Sequence, residues 1–193
     1  TDPSVAPVLA AKLAGVPVIL HEQNAVLGRA NVRLARYAKL VATSFLSVAG
    51  LGDRRQKFTG NPVRTEVVDA RSIPFSPPEA DGPFNLLVFG GSQGASVFAE
   101  VVPEACALLP DVLRARLQVT QQAREEDVEA ARAAYEALGV RAEVSPFFNN
   151  LPERMASSHL VIARAGASTI AEVLAIGRPA VLVPYPHAMD DHQ

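Results

Sequence analysis

The chain carries two glycine-centred turns, each between a short apolar run and a stretch with helical spacing. The first turn, GGSQGA, occupies residues 90–95, and the second, RAGAST, occupies residues 164–169. The apolar runs before them, 85–89 and 160–163, have the length of buried parallel strands. Strands of one parallel sheet deliver their turns to the same carboxyl edge, where main-chain N–H groups and helix N-termini bind phosphate. Two such turns therefore predict a ligand that contains a diphosphate.

Composition limits the class of protein. The 193 residues are 49% hydrophobic and 20% charged, which is typical of a globular protein, and the formal net charge of -2 argues against a nucleic-acid partner. Cys106 is the chain's one cysteine, and we expect it to be buried in a helix and reduced. No run approaches the roughly 20 apolar residues that cross a bilayer, and no signal peptide is evident. The sequence predicts a cytosolic location that allows peripheral membrane contact.

Strand-length and helix-length segments alternate along the chain, which predicts parallel strands joined by helices. The predicted strands lie at 16–20, 40–42, 57–59, 85–89, 117–120, 141–144, 160–163 and 180–183. The predicted helices lie at 4–14, 27–38, 95–109, 124–138, 150–156 and 169–176. Segment 70–83 contains four prolines, and we interpret it as a linker between domains. The sequence thus predicts an α/β fold with two domains, 1–69 and 84–193.

Neither glycine turn identifies a ligand by itself. Residues 90–95 follow neither the G-x-G-x-x-G pattern of dinucleotide sites nor the G-K-[ST] of a P-loop. Phosphate binding and simple helix–strand packing are therefore equal alternatives for this turn. In the second turn, Thr169 and Glu172 have the T-x-x-E spacing of a capping box, which is the favoured interpretation. The alternative is that Glu172 accepts hydrogen bonds from a ribose diol.

Three polar segments allow a functional and a simpler interpretation. The HEQN quartet at 21–24 can bind sugar hydroxyls or transfer a proton, although a solvated loop is the simpler interpretation. Residues 184–193 contain two histidines and two aspartates without an established metal-ligand spacing, so sugar recognition or simple loop polarity is favoured over a metal site. Arg29, Arg33 and Arg36 share one face of a predicted helix. That face is either solvated or, as a weaker hypothesis, close to anionic head groups or a lipid diphosphate.

Five motifs occur in an order that resembles one known family. They are HEQN at 21–24, GNPVR at 60–64, GGSQGA at 90–95, GASTIAE at 166–172 and HAMDDHQ at 187–193. In this order they are similar to the N-acetylglucosaminyltransferases of peptidoglycan synthesis, over essentially the whole chain. The resemblance implies a glycosyltransferase-B fold with two Rossmann-like parallel-sheet domains facing a cleft. The acceptor-side domain would occupy 1–69 and the donor domain 84–193, both incomplete here.

The resemblance also implies a reaction. Members of the family move N-acetylglucosamine from UDP-N-acetylglucosamine to the C4 hydroxyl of the muramoyl-pentapeptide carried on undecaprenyl diphosphate, with inversion. They act peripherally at the cytoplasmic face of the bacterial inner membrane, in cell wall biogenesis, and so in cell shape and division. No cofactor or metal is implied, because main-chain donors and helix N-termini can stabilise the negative charge of the UDP leaving group.

The motif positions assign residues to the donor site. By resemblance, Asn24 and Gln193 contact the donor sugar, Ser92 the diphosphate and Glu172 the ribose diol. Five further residues would line the same pocket: Ala167, Ser168, Thr169, Ile170 and Ala171. Arg64 would lie near the nucleotide at the domain junction. Phe148 marks the position at which main-chain groups hold the uracil.

The catalytic base is not assigned. In the family it lies in a glycine-rich segment that would precede Thr1, and His21 is the nearest candidate in this chain. We expect the 193 residues to be an internal part of a longer enzyme and, alone, to transfer little or no sugar. Two alternatives stay open: an isomerase of the UDP-N-acetylglucosamine 2-epimerase type, and a UDP-sugar-binding half that needs a partner chain.

Overall fold

The computed structural model describes residues 5–52, 55–90 and 96–185. These residues divide into two compact units, with the division between Pro62 and Val63. Both units are built on a parallel sheet. The alternation of strands and helices in the sequence therefore gives the parallel α/β architecture that it predicts.

The first unit contains a three-stranded parallel sheet in the order β1-β2-β3. Its elements are α1 (Val5–Leu13), β1 (Ile19–Glu22), α2 (Arg29–Leu34), a 3-10 turn (Ala35–Tyr37), β2 (Leu40–Thr43) and β3 (Gln56–Phe58). Leu20, Leu34 and Val41 are buried together in its core with Val8 of α1. Burial of these side chains holds the short helices on the sheet, because helices of this length are marginal in isolation.

Strand β1 lies two to three residues later than the sequence predicts. The prediction places a strand at 16–20 and the polar quartet beyond its end, whereas His21 and Glu22 are strand residues opposite Ala42 and Thr43. Pro17 has no N–H to donate to a ladder, and the pairing begins after it, where Lys39 N donates to Val18 O. The interpretation of 21–24 as a solvated loop is thus wrong for its first two residues.

The second unit contains a five-stranded parallel sheet in the order β6-β5-β4-β7-β8. The strands are β4 (Phe84–Phe89), β5 (Leu117–Gln122), β6 (Arg141–Ser145), β7 (Leu160–Arg164) and β8 (Ala180–Val183). The helices are α3 (Thr65–Ala70), α4 (Ser96–Ala107), α5 (Asp111–Arg114), α6 (Val128–Ala137), α7 (Leu151–Ala156) and α8 (Ala167–Ile176), with a 3-10 turn at Glu125–Asp127. Strand order reverses between β4 and β7, as in a Rossmann sheet.

Alternate residues of β4 enter two separate cores. Leu86 and Val88 pack in a cluster with α4 and α6, whereas Leu87 and Phe89 pack in a cluster with α3, α7 and α8. Cys106 lies in the first of these clusters, which confirms the prediction that it is buried. Because both faces of the central strand are covered, residues 86–89 form a continuous apolar run.

Helix α3 and the proline-rich segment both belong to the second unit. Val67 and Ala70 of α3 are buried in its core, so residues 63–69 differ from the predicted assignment to the first domain. The segment after α3 is not a bare linker either. The guanidinium of Arg178 donates to Ile73 O at 2.8 Å, and that of Arg116 donates to Gly82 O at 2.7 Å. Irregular backbone leaves its carbonyls without ladder partners, and these arginines satisfy them.

Within residues 5–52, 55–90 and 96–185, no helix has both the length and the apolar character to cross a membrane.

Candidate functional site

The carboxyl ends of β4 and β7 form the switch point of the second sheet. The two strands are parallel neighbours, with Phe89 opposite Ala163, which confirms that both glycine turns leave from one edge. In open α/β sheets the connections diverge at such a point and leave a crevice in which ligands bind. Ser92 and Gln193, two of the predicted binding residues, lie outside the described residues.

Helix α8 begins at this crevice with Gly166 as its N-cap. Gly166 has φ -71° and ψ 144°, and no side chain caps the helix. Thr169 is the third helical residue, so the capping-box interpretation of Thr169 and Glu172 is wrong. The first N–H groups of a helix have no intrahelical acceptor and form its positive end. The predicted pocket residues Ala167, Ser168, Thr169, Ile170 and Ala171 make up the start of this helix.

The carboxylate of Glu172 is bound by Arg64 rather than by the helix start. Arg64 Nε donates to Oε1 at 3.0 Å and Nη2 donates to Oε2 at 3.2 Å. The Arg64 side chain is 56% exposed and that of Glu172 is 14% exposed. The hydrogen bonding of Arg64 to the Glu172 carboxylate is the main cause that raises the pKa of Arg64. A carboxylate has about four lone-pair directions, so two of them lie outside this pair.

Arg164 is a neighbour of the switch point that sequence reasoning missed. Its Nη1 donates to Pro184 O at 2.8 Å, which joins the end of β7 to the chain after β8. The guanidinium carbon also lies 5.2 Å from the centre of the Phe98 ring and 5.6 Å from that of Tyr185. These contacts fix the exits of two strands and the start of α4 relative to one another. No local pattern signals them, since the partners are distant in the sequence.

Phe148 follows β6, and its ring is fixed in the fold. The side chain is 7% exposed. The guanidinium carbon of Arg154 lies 4.3 Å from the ring centre, and Arg154 in turn forms two hydrogen bonds with Glu143. A buried ring has little surface to offer a ligand. A ligand contact at this position would have to use main-chain groups, and the role of Phe148 toward the uracil stays a prediction.

His21 and Asn24 lie in the first unit, at and just beyond the end of β1. His21 Nε2 is 3.1 Å from Gly60 O and 3.5 Å from Ser44 Oγ. A carbonyl oxygen can only accept, so Nε2 carries a proton and donates to Gly60. A general base needs an unprotonated nitrogen at the reacting group, which Nε2 does not offer in this arrangement.

Glu22 is the buried centre of the HEQN quartet. It is 3% exposed and accepts from the main chain and the side chain of Asn24, from Gly28 N and from Asn31 Nδ2. Four donors compensate for the removal of the carboxylate from water. Sequence reasoning missed this role, because the donors are gathered only when the loop folds over the strand end.

Two cavities of the second unit lie away from the carboxyl edge. One, of about 560 Å³, opens over the first halves of β4, β5 and β6 beside α7 and includes Gln118 and Arg141. The other, of about 340 Å³, is almost wholly apolar and lies behind α4, with Val102 and Cys106 in its wall. Neither contains the residues around Glu172. The candidate site is therefore the switch point itself.

A Rossmann strand order with a helix N-terminus at the switch point defines the class of doubly wound α/β proteins, whose ligands bind at that edge. Within that class, comparisons with known proteins identify the family. The chain belongs to glycosyltransferase family 28, since the model of its C-terminal domain matches residues 85–193 and that of its N-terminal domain matches residues 2–43. This confirms the predicted glycosyltransferase-B fold class.

Two curated relatives are similar along nearly the whole chain. A protein of Rhodospirillum centenum is 56% identical and one of Brucella abortus is 54% identical, each over 99% of this chain and 51% of its own length. Both carry the name UDP-N-acetylglucosamine–N-acetylmuramyl-(pentapeptide) pyrophosphoryl-undecaprenol N-acetylglucosamine transferase. The chain thus spans about half the length of the curated relatives it matches.

Solved structures give the same result. In the crystal structure of Acinetobacter baumannii MurG, the protein is 36% identical in sequence to this chain, with a TM-score of 0.75. The match covers 96% of this chain and 51% of the MurG chain. The glycotransferase of kitacinnamycin is 18% identical with a TM-score of 0.62, and covers 97% of this chain and 56% of that one. The second similarity concerns the fold alone.

Proposed function

We propose that the protein carrying this chain transfers N-acetylglucosamine from UDP-N-acetylglucosamine to N-acetylmuramyl-(pentapeptide) pyrophosphoryl-undecaprenol in peptidoglycan synthesis. The observation that carries the proposal is the 56% identity, over 99% of the chain, with a relative of that name. The geometry of the second unit supports the donor half of the reaction. The relatives' names support neither of the two alternatives, the 2-epimerase and the half that needs a partner chain.

The donor diphosphate is proposed to lie at the switch point, over the start of α8. In this proposal the main-chain N–H groups of the helix start face the position at which negative charge develops on the UDP leaving group. Residues 90–95, including Ser92, contribute the second turn in this proposal. A preorganised helix start needs no rearrangement as the charge develops, which favours the transition state over the bound substrate.

Glu172 is proposed to accept hydrogen bonds from the two hydroxyls of the ribose. Its carboxylate has lone pairs left beside those that bind Arg64, and the two parallel hydrogen bonds fix the carboxylate plane. Asn24 and Gln193 are proposed to contact the sugar, and main-chain groups at Phe148 the uracil. Residues 167–171 line the same pocket in this proposal.

The proposed location is the cytoplasmic side of the bacterial inner membrane, with peripheral attachment. The support is chemical, because the acceptor in the relatives' name is linked to undecaprenol, an apolar lipid that stays in a bilayer. An enzyme that acts on its head group has to reach the membrane surface. The catalytic base is left unassigned.

Release of UDP by the complete protein tests the proposal. UDP should appear only when UDP-N-acetylglucosamine and the lipid-linked muramoyl-pentapeptide are both present, and the lipid product should gain one hexosamine. UDP release without acceptor, or formation of the 2-epimer of the sugar, would overturn it. Titrations with UDP, UMP and ADP check the donor site separately, and we expect the order of affinity to be UDP above UMP and ADP.

A further inference from the structure

We propose that Glu22 is a positioning residue that turns the side-chain amide of Asn24 so that Oδ1 faces the donor sugar. The inference rests on the proposed function, in which Asn24 contacts that sugar. Asn24 Nδ2 lies 3.3 Å from Glu22 Oε1, and the main-chain N–H of Asn24 donates to the same oxygen at 3.0 Å. Glu22 itself touches no substrate in this proposal and acts through Asn24.

The chemistry of the two groups decides which way the amide points. An ionised carboxylate only accepts hydrogen bonds, whereas the amide of asparagine has one end that donates and one that accepts. The end that faces Glu22 must therefore be Nδ2. Oδ1 is then the atom available to a ligand, so Asn24 takes its hydrogen bond from an O–H or N–H group of the hexosamine.

The other carboxylate oxygen anchors Glu22 to helix α2. Oε2 accepts from Gly28 N at 3.0 Å and from Asn31 Nδ2 at 2.8 Å. Gly28 is the N-cap of α2, and Asn31 is a buried residue of its first turn. The carboxylate thus has one oxygen for the helix and one for Asn24. Because Gly28 N alone still holds Oε2, the end of the Asn24 amide that faces Oε1 does not depend on Asn31.

The variant Glu22→Gln tests the proposal in the complete protein. Gln has an N–H₂ end, and in the orientation that points it at Asn24 the Asn24 side chain presents Oδ1 to it and Nδ2 to the sugar. We expect the KM for UDP-N-acetylglucosamine to rise about 10-fold, the value of one polar contact, while kcat changes less than KM. The affinity for UDP, which lacks the hexosamine, should stay within about 2-fold of the wild type. If the role of Glu22 were purely structural, the variant would bind UDP-N-acetylglucosamine and UDP more weakly by the same factor.

Asn31→Ala is the matched control. It removes a donor from the other oxygen of the same carboxylate and leaves Asn24 untouched. We expect it to lower stability, as Glu22→Gln does, without a change in the KM for UDP-N-acetylglucosamine. A rise in KM as large as that of Glu22→Gln would contradict the proposal.

An exchange of the two groups gives a test that does not depend on the single variant folding well. Asn24→Asp sets two carboxylates against each other and should raise KM, although it keeps an acceptor for the sugar. In the double variant with Glu22→Gln, the new amide donates to the new carboxylate, and KM should fall back toward the wild type. No recovery in the double variant would overturn the positioning role.

Asn24→Ala separates this proposal from the proposed function. If it leaves the KM for UDP-N-acetylglucosamine unchanged, Asn24 is not a sugar contact, and the assignment of Asn24 fails together with the inference. If it raises KM and Glu22→Gln does not, only the inference fails. If both variants raise KM, adding Glu22→Gln to Asn24→Ala should not raise KM further, because Glu22 acts through the amide that Asn24→Ala removes.

Discussion

Arg64 and Glu172, which are 108 residues apart in the sequence, are joined by two parallel hydrogen bonds between guanidinium and carboxylate. The pair links the residue before α3 to the second turn of α8 within one unit. Two bonds fix the plane of the carboxylate as well as its position. Glu172 is therefore oriented before any ligand arrives, and this arrangement carries the first two predictions.

Glu172→Gln keeps the shape of the side chain and removes its charge. We expect the affinity for UDP to fall by about 10- to 100-fold, the effect of losing a charge-assisted hydrogen bond, with a change in unfolding free energy of about 1 kcal/mol or less. Isothermal titration with UDP measures the first, and urea unfolding the second. Glu129→Gln removes another carboxylate–arginine pair of this unit, at 2.8 Å to Arg132, and should leave UDP binding unchanged. Lost stability with unchanged affinity would refute the ribose role.

Arg64→Lys keeps the positive charge but supplies one point of contact instead of two. We expect the affinity for UDP to fall by about 3- to 10-fold, less than in Glu172→Gln, because the carboxylate is still present but less well oriented. Stability should change by about 1 kcal/mol or less, since the Arg64 side chain is 56% exposed. If titration shows that Arg64→Lys and Glu172→Gln lose the same affinity for UDP, Arg64 itself binds the nucleotide.

Tyr135 makes the stability of the second unit depend on alkaline pH. Its hydroxyl donates to Gln121 Oε1, the side chain is fully buried, and burial raises the pKa of Tyr135 above the ordinary value of 10.0. Above about pH 10 the unfolded chain releases the Tyr135 proton and the folded chain keeps it, so the free energy of unfolding falls as pH rises. Below about pH 10 both states hold the proton, and Tyr135 makes its full contribution to stability.

We therefore expect the unfolding free energy to decline above about pH 10, by up to about 1.4 kcal/mol per pH unit for this one group. Tyr135→Phe should flatten that decline and lower stability at neutral pH by about 1 to 2 kcal/mol, through the loss of the hydrogen bond to Gln121. Burial also raises the pKa of Cys106, which acts in the same direction, so the comparison is best made in a Cys106→Ala background. An unchanged slope in Tyr135→Phe would contradict this account.

Arg178 is a buried cation held by main-chain carbonyls. It is 7% exposed, its Nε donates to Ala156 O at 2.7 Å and its Nη2 to Ile73 O at 2.8 Å. Arg178→Met should destabilise the second unit by about 2 to 4 kcal/mol, because buried carbonyls lose their donors. Arg116→Met removes a comparable but more exposed contact to Gly82 and should cost less. Denaturant unfolding measures the unfolding free energy of both variants. An equal loss of unfolding free energy in the two would contradict the view that the burial of Arg178 makes its contacts more stabilising.

The strands at the switch point could be predicted from the sequence because their signal is local. Both β4 and β7 are short apolar runs before a glycine, and the predicted ranges 85–89 and 160–163 agree with the observed strands to within one residue at each end. Helix α3 was missed because it has six residues, of which only Val67 and Ala70 are buried. That is too short for a helical period to stand out.

The partners of the site carboxylates could not be predicted, since they depend on distant or folded-back chain. The T-x-x-E spacing favours a cap for Thr169 and Glu172, yet the arginine that binds Glu172 precedes it by 108 residues. Glu22 looks exposed in a polar quartet and is buried, because donors from Asn24, Gly28 and Asn31 converge on it. Local pattern does not encode that convergence.

The attachment of α3 to the second unit has a practical consequence for anyone who divides this protein. A recombinant half that started at Phe84, after the prolines, would omit the side chains of Val67 and Ala70 and the carbonyl of Ile73 that Arg178 holds. Its core would open to water and a guanidinium would lose its acceptor. A cut at Val63 retains them, so the choice of first residue decides whether such a half is worth expressing.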